Sequence, residues 1–266
     1  MGMVPICKGL VCNRKKYQLI STLGWTNLDC DEEVLIYDSV VLRRSDLALL
    51  EGPFYLNDRI LEFFFSYLSL LHPSEDIHFV TPSISYWLTN SKDFESLKAF
   101  VEPLKPFKVV IFTVNNNDDM SKTDGGTHWS LLVYYKDANA FVHYDSIRCL
   151  NGRYAMKLYE AVKGHVSSRD TDSRLEDLDR IQNKKRRFAM AAMYPCFREY
   201  STPQQNNYYD CGLYVMAIAR VICCWCVNTL KKNDEILFPD ILKNVDNSVE
   251  FTMRIELLNI IKYLRT

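Results

Sequence analysis

The run Gly125-Gly126-Thr127-His128-Trp129-Ser130-Leu131-Leu132-Val133-Tyr134-Tyr135-Lys136-Asp137-Ala138-Asn139-Ala140-Phe141-Val142-His143-Tyr144-Asp145-Ser146 decides the architecture. Two glycines turn the chain. Residues 129–135 and 140–144 are then rich in β-branched and aromatic side chains, with the polar segment 136–139 between them, and this pattern predicts a β-hairpin. His128 opens its first strand and Asp145 follows its second. In a hairpin of two strands this length, the start of one lies beside the end of the other, so His128 and Asp145 are expected to be neighbours. A carboxylate in that place accepts from one ring nitrogen, fixes the tautomer and leaves the other nitrogen for a nucleophile.

Downstream, Pro203-Gln204-Gln205-Asn206-Asn207-Tyr208-Tyr209-Asp210-Cys211-Gly212 is a polar, turn-rich run that gives way to a long apolar helix reaching about residue 230. Cys211 falls at or near the first turn of that helix, where unpaired backbone N–H groups favour a thiolate. A neighbouring imidazolium would lower the thiol pKa further. Gly212 leaves room for a substrate backbone, and the Gln205 amide can donate to an oxyanion alongside the Cys211 N–H. Taken singly, each segment has a plainer reading: a structural histidine, a buried thiol, a turn aspartate. Together they spell a base and its orienter on one hairpin and a thiol at a helix start. The assignment is Cys211 as nucleophile, His128 as base, Asp145 as orienter and Gln205 as oxyanion donor.

Working outward, residues 56–72 carry Ile60, Phe64, Tyr67, Leu68 and Leu71 at helical spacing, with Asn57 placed to cap and Pro73 just beyond. A short strand is expected at 77–80, one or two helices over 82–103, a strand at 107–114, a helix at 153–164 and a strand near 192–198. A terminal helix over 248–265 has Met253, Leu257, Ile260, Ile261 and Leu264 on one stripe. The class is α+β, with helices packed around a central sheet. Residues 1–36 lack a clear period and are taken as an extension. Residues 37–266 form the main domain, with a charged surface insertion at about 165–188.

A net charge of −1 gives no general attraction to nucleic acid or anionic lipid. No window is expected to approach the roughly twenty apolar residues of a membrane span. The nine cysteines are odd in number and irregularly spaced, unlike a disulfide framework. Cys223, Cys224 and Cys226 sit on one helix with no histidine near to complete a zinc set, so buried thiols are expected, with no metal and no cofactor. Free thiols and the lack of a signal-peptide pattern point to cytoplasm or nucleus. The Lys184-Lys185-Arg186-Arg187 run reads as solvated surface, with nuclear import or docking as alternatives.

His128-Trp129, Tyr144-Asp145-Ser146, Gln205 and Asp210-Cys211-Gly212, in that order, closely resemble the ubiquitin-like-protein proteases, the sentrin/SUMO-specific family. Within it, Tyr37-Asp38-Ser39-Val40-Val41-Leu42-Arg43-Arg44-Ser45-Asp46, Gly125 to Val133 and Phe141 to Ser146 are most similar to the deneddylase branch. The resemblance implies a papain-like fold of the ubiquitin-like protease type: a central mixed sheet flanked by helices, with the nucleophile at a helix N-terminus. It implies cleavage after the Gly-Gly terminus of neddylin, acting on precursor and on conjugates such as neddylated cullins; nothing in the sequence demands more than a monomer or calls for a cofactor. It also implies a tunnel in which two aromatic rings sandwich the Gly-Gly tail. Trp129 matches one wall; at the other the family's usual Trp is replaced by Tyr55, in Tyr55-Leu56-Asn57-Asp58. Asp58 matches a modifier-docking position and equally reads as a first-turn carboxylate favoured by the helix dipole. The alternatives are a SUMO- or ubiquitin-specific protease of the same fold, a protein acyltransferase, or an inactive modifier-binding module.

Overall fold

The computed structural model describes residues 32–91, 93–119, 121–122, 125–166, 195–229 and 238–266. In chain order, β1 (Glu33–Tyr37) and β2 (Val40–Arg43) precede α1 (Arg44–Glu51) and α2 (Asp58–Leu71). Then come β3 (Ile77–Phe79), α3 (Pro82–Asn90), α4 (Phe94–Val101), β4 (Val109–Asn115), β5 (Trp129–Tyr135) and β6 (Ala140–Tyr144). The chain ends with α5 (Gly152–Val166), β7 (Cys196–Tyr200), α6 (Cys211–Thr229), α7 (Ile241–Asn244) and α8 (Val249–Leu264).

The main sheet runs β3-β4-β5-β6-β7, with both outer pairs parallel and the inner pairs antiparallel. Its centre is the expected hairpin, with Tyr135 opposite Ala140 and Leu131 opposite Tyr144. Period-two alternation sends side chains to two separate cores. Val109, Ile111, Leu131, Val133, Tyr135, Val142 and Tyr144 face α2, α6 and α8. Val110, Phe112, Val114, Leu132, Tyr134 and Phe141 face α4 and α5. With both faces covered, the central strands are largely apolar rather than alternating with polar residues, Thr113, Ser130 and His143 being the buried polar exceptions.

α2 forms as its spacing predicts: the Asn57 side chain accepts from the Ile60 N–H, and Ile60, Leu61, Phe63, Phe64, Phe65 and Leu68 are buried. Each such side chain contributes roughly 1.5–3 kcal/mol on leaving water. Leu71, expected on the same stripe, is 49% exposed because the last turn passes the edge of the core. The strand expected near 192–198 lies at Cys196–Tyr200. β1 starts at Glu33, inside the stretch read as an extension, and pairs with β2 across Asp38 and Ser39, which have φ of 44° and 69°. Residues 1–31 and most of the 165–188 insertion lie outside the described residues.

The expectation that no window reaches the composition of a membrane span needs correction. Cys211–Asn228 is 18 residues long with a mean hydropathy of 1.7. The cause is position, since this helix lies between the sheet and the α2/α8 layer. Leu213, Met216, Ile218, Ile222 and Cys226 are all buried in the protein's own core.

Candidate active site

β4 ends at Asn115, and three consecutive asparagines set the entrance to β5. Asn116 Oδ1 accepts from the backbone N–H groups of Thr127 at 2.6 Å and His128 at 3.1 Å. Asn115 Oδ1 accepts from Asn117 N at 2.9 Å, and Asn117 Nδ2 donates to Lys122 O at 2.9 Å. The two glycines pass so close to these amides that only glycine fits. A Cβ on Gly126, which has φ +88°, would lie 2.0 Å from Asn115 Oδ1, and one on Gly125 would lie 2.3 Å from Asn117 Nδ2. His128 is thereby held by its backbone before its side chain makes any contact.

His128 Nε2 lies 2.6 Å from Asp145 Oδ1, the contact anticipated from the hairpin. The route is less direct than a simple pairing. Strand register ends with Leu131 opposite Tyr144, so the two residues meet diagonally, beyond the strand ends. Asp145 is further fixed by the backbone N–H groups of Ile147 and Asn151, each at 3.0 Å. Asn151 immediately precedes α5, and its carbonyl accepts from Tyr154 and Ala155 N–H. The carboxylate therefore sits at a helix N-terminus, where the dipole favours negative charge. Burial pushes the Asp145 carboxyl up, but the hydrogen bond and charge of His128 and the two backbone donors outweigh it and hold it below the usual carboxylate range.

Burial pulls the His128 pKa down, but hydrogen bonding to Asp145 and to Cys211, with their negative charge, raises it from 6.5 to about 9. The second ring nitrogen, Nδ1, is buried and makes no hydrogen bond among the described residues, although Cys211 is near enough to act on the ring. The imidazole thus has one nitrogen committed to its orienter and one open to the thiol. Both His128 and Cys211 are buried, so the pair is shut off from bulk water.

Cys211 is the first residue of α6. The turn before it is built by Asn207, whose Oδ1 accepts from Tyr209 N at 3.0 Å and Asp210 N at 2.9 Å, and whose Nδ2 donates to Asp210 Oδ2 at 2.8 Å. Asp210 is buried, and its other oxygen accepts from Arg254 Nε at 3.1 Å and Nη2 at 2.6 Å. Arg254 also donates to the carbonyls of Leu49 at 2.6 Å and Phe54 at 2.8 Å. One guanidinium on α8 therefore joins α1, the 54–57 loop and the nucleophile turn.

Gln205 is docked on the hairpin side of the site. Its N–H donates to Ser146 O at 2.9 Å, and its Oε1 accepts from Ser146 Oγ at 2.6 Å. With the oxygen so committed, the amide nitrogen is turned to donate: Nε2 gives one hydrogen bond to Asn207 O at 2.5 Å and retains a second N–H. Trp129 Nε1 donates to Leu56 O at 2.8 Å, which ties one expected tunnel wall to the loop carrying the other, Tyr55, itself 44% exposed. Leu56 also packs on Gly212, where a Cβ would lie 3.0 Å from Leu56 Cβ. The room expected there for a substrate backbone is filled by Leu56 instead. Asp58 is exposed at the start of α2 and accepts only from its neighbour Arg59 N, at 2.9 Å, among the hydrogen bonds of the described residues.

Of the seven residues singled out from sequence, His128, Asp145, Gln205, Cys211 and Trp129 lie around one centre, Tyr55 is on the loop beside it, and Asp58 opens α2 with no hydrogen bond to the others among the described residues. Asn116, Asn151 and Arg254 escaped the sequence reading. Asn116 lies in a recognised asparagine turn, but Asn151 and Arg254 carry no local signal because their partners are distant in the chain. Among the described residues, no group of three or more His, Cys, Asp or Glu side chains could hold a metal ion.

A model of the Ulp1 protease family, C-terminal catalytic domain, matches residues 55–248. NEDD8-specific protease 1 of Arabidopsis thaliana is 41% identical over 241 residues, covering 90% of this chain and 96% of that protein. Sentrin-specific protease 8 of Homo sapiens is 34% identical over 197 residues, 73% of this chain and 82% of the relative. Among solved structures, the C-terminal Ulp1 protease domain in complex with Smt3, the yeast ortholog of SUMO, superposes with a TM-score of 0.57 at 16% identity, covering 88% of each chain. At that identity the likeness speaks for the fold alone.

Proposed function

We propose that this chain, which belongs to the Ulp1 protease family of cysteine peptidases, hydrolyses the bond after the C-terminal Gly-Gly of NEDD8. The observation that carries the chemistry is the buried 2.6 Å contact between His128 and Asp145 beside a cysteine that opens a helix. The preference for NEDD8 rests on 41% identity to a NEDD8-specific protease across 90% of the chain.

In this mechanism the Cys211 proton passes to His128, whose raised pKa holds it as an imidazolium against Asp145. The thiolate attacks the terminal glycine carbonyl and forms a C–S bond. The oxyanion is met by the Cys211 N–H and the second Gln205 N–H. His128 returns the proton to the leaving amine, which departs as the thioester forms. Water then attacks the thioester, giving its proton through His128 to the departing thiolate. Trp129 and Tyr55 form the walls that admit a tail without Cβ atoms. Leu56, seated on Gly212, has to yield for that tail to reach the sulfur. Asp58 offers a free carboxylate edge to a basic residue on the modifier.

The same reading assigns neddylated proteins such as cullins as conjugate substrates, a monomer as the working unit, and the cytoplasm or nucleus as the place of action. It also takes residues 1–32 as an extension to the catalytic domain, with Glu33 onward in β1 counted as part of that domain. The test is side-by-side labelling with NEDD8, SUMO and ubiquitin probes that carry a Gly-vinyl-sulfone terminus. NEDD8 is expected to label wild type and not Cys211→Ala, which still binds the modifier. Preferential labelling by SUMO or ubiquitin, or cleavage by Cys211→Ala at the wild-type rate, would overturn the assignment.

A further inference from the structure

A second histidine-centred array lies behind the dyad. His143 Nδ1 is 2.8 Å from Glu199 Oε2, and His143 Nε2 is 2.9 Å from Ser130 Oγ. Serine, histidine and carboxylate in this order would suit a nucleophilic site. Ser130 and His143 are 1% and 0% exposed, however, so no substrate can reach them. The array continues inward instead. Asn151 Nδ2 shares its two protons among Ser130 Oγ at 3.0 Å, Val114 O at 3.1 Å and His128 O at 3.2 Å, while Asn151 N donates to Asp145 Oδ2 at 3.0 Å. Asn151 thus touches both members of the dyad, and Ser130 touches Asn151.

The donors and acceptors run in one consistent direction. Glu199 has only acceptors when ionised, so His143 carries its proton on Nδ1 and accepts at Nε2. Ser130 then spends its one proton on His143 and accepts from Asn151. In that sense each side-chain link from Glu199 to Asn151 has a donor and an acceptor, while Asn151 Oδ1 is buried with no partner among the described residues. Such a chain rigidifies a buried polar group more than separate contacts would. Its outer end is accessible, because the Glu199 side chain is 56% exposed on edge strand β7.

We infer that Ser130, His143 and Glu199 are positioning residues for the His128–Asp145 dyad, acting on it through Asn151. The inference rests on the reading that this dyad serves Cys211. It assigns no chemistry to Ser130. Together with the Val114 carbonyl, that residue sets the angle of the Asn151 amide, and through it the His128 carbonyl and the second carboxylate oxygen of Asp145.

The test is Ser130→Ala, assayed on a NEDD8 C-terminal amide substrate and by proton NMR of the downfield imidazole N–H in the His128–Asp145 contact. The expected result is a kcat lower by about 10- to 100-fold, a KM within about twofold of wild type, and a shifted or broadened downfield resonance. Glu199→Gln keeps an acceptor for His143 and is expected to retain the wild-type kcat and resonance. Glu199→Lys offers only donors and is expected to lower kcat and move the resonance. The Glu199 pair lies on an exposed edge and decides the matter if Ser130→Ala does not fold. Wild-type kcat with an unmoved resonance in Ser130→Ala or Glu199→Lys overturns the inference. Loss of the protease reading would show separately, as wild-type protein unlabelled at Cys211, while the resonance still reports whether the array reaches the dyad.

Discussion

His128 and Asp145 are 17 residues apart and meet at the ends of one hairpin, whereas Asp210, beside the nucleophile, is held by Arg254, 44 residues further along. Arg254 in turn reaches Leu49 and Phe54, 205 and 200 residues back in the chain. The base half of the site is thus set by local strand pairing, and the thiol half by the closing of the whole domain. Closure entropy separates the two. A short loop costs little to form and can be ordered early, whereas long-range ties order only when the fold is complete. The terminal helix, all of which lies beyond the residues matched by the family model, is accordingly part of what shapes the site.

This contrast can be broken from either side. The largest effect is expected from Asp145→Asn, whose single side-chain oxygen can accept from only one of the Ile147 and Asn151 N–H groups and whose amide presents the wrong partner to His128 Nε2. A loss in kcat of about 10⁴-fold is expected, with little change in folding stability only above about pH 9, where the His128 contribution has faded, read by steady-state cleavage and by thermal melting at that pH. Arg254→Met attacks the other half and should do the reverse, losing about 3–5 kcal/mol because the buried Asp210 carboxylate is left unpaired. Urea unfolding measures that loss, and adding Asp210→Asn should recover part of it. Equal stability losses from Asp145→Asn and Arg254→Met would dissolve the distinction between the halves.

Two smaller effects sharpen it. The folded-state pKa of His128 is raised from 6.5 to about 9, so the stability it contributes is fully present below pH 6.5 and fades as pH climbs through about 9. Asp145 is shifted down, so its contribution is present above its ordinary pKa of 3.8 and is lost as pH falls below that. Wild-type melting temperature should therefore decline between pH 6.5 and 9, on the order of 3 kcal/mol in all, and His128→Gln should show a flatter profile. Gly126→Ala should cost about 2 kcal/mol, since a Cβ cannot occupy that backbone conformation against Asn115 without displacing the turn. Its unfolding midpoint, set beside that of Gly152→Ala, isolates the turn: a Cβ on Gly152 would meet nothing closer than Glu199 Oε1 at 3.5 Å.

Much of the fold is legible in the amino-acid sequence. β5, β6, α2 and the start of α6 announce themselves through β-branched and aromatic runs, an asparagine cap and an abrupt change from polar to apolar residues. β1 is hidden because only Leu35 of its five residues is buried, which leaves almost no alternation to read. Leu56 filling the space over Gly212 is also out of reach, since the packing of a loop on a helix start leaves no periodic trace.

Sequence by itself determined which residues meet at short range, with His128 and Asp145 on one hairpin and Cys211 at the first turn of an apolar helix, because periodicity and turn chemistry are properties of neighbouring residues. Only the tertiary structure decided what holds them in place: the Arg254 strut, Asn151 touching both the base and its orienter, and Leu56 packed on Gly212 next to the nucleophile. These depend on partners brought together by burial, and the desolvation that makes a lone polar group costly is what compels each of them to find its mate.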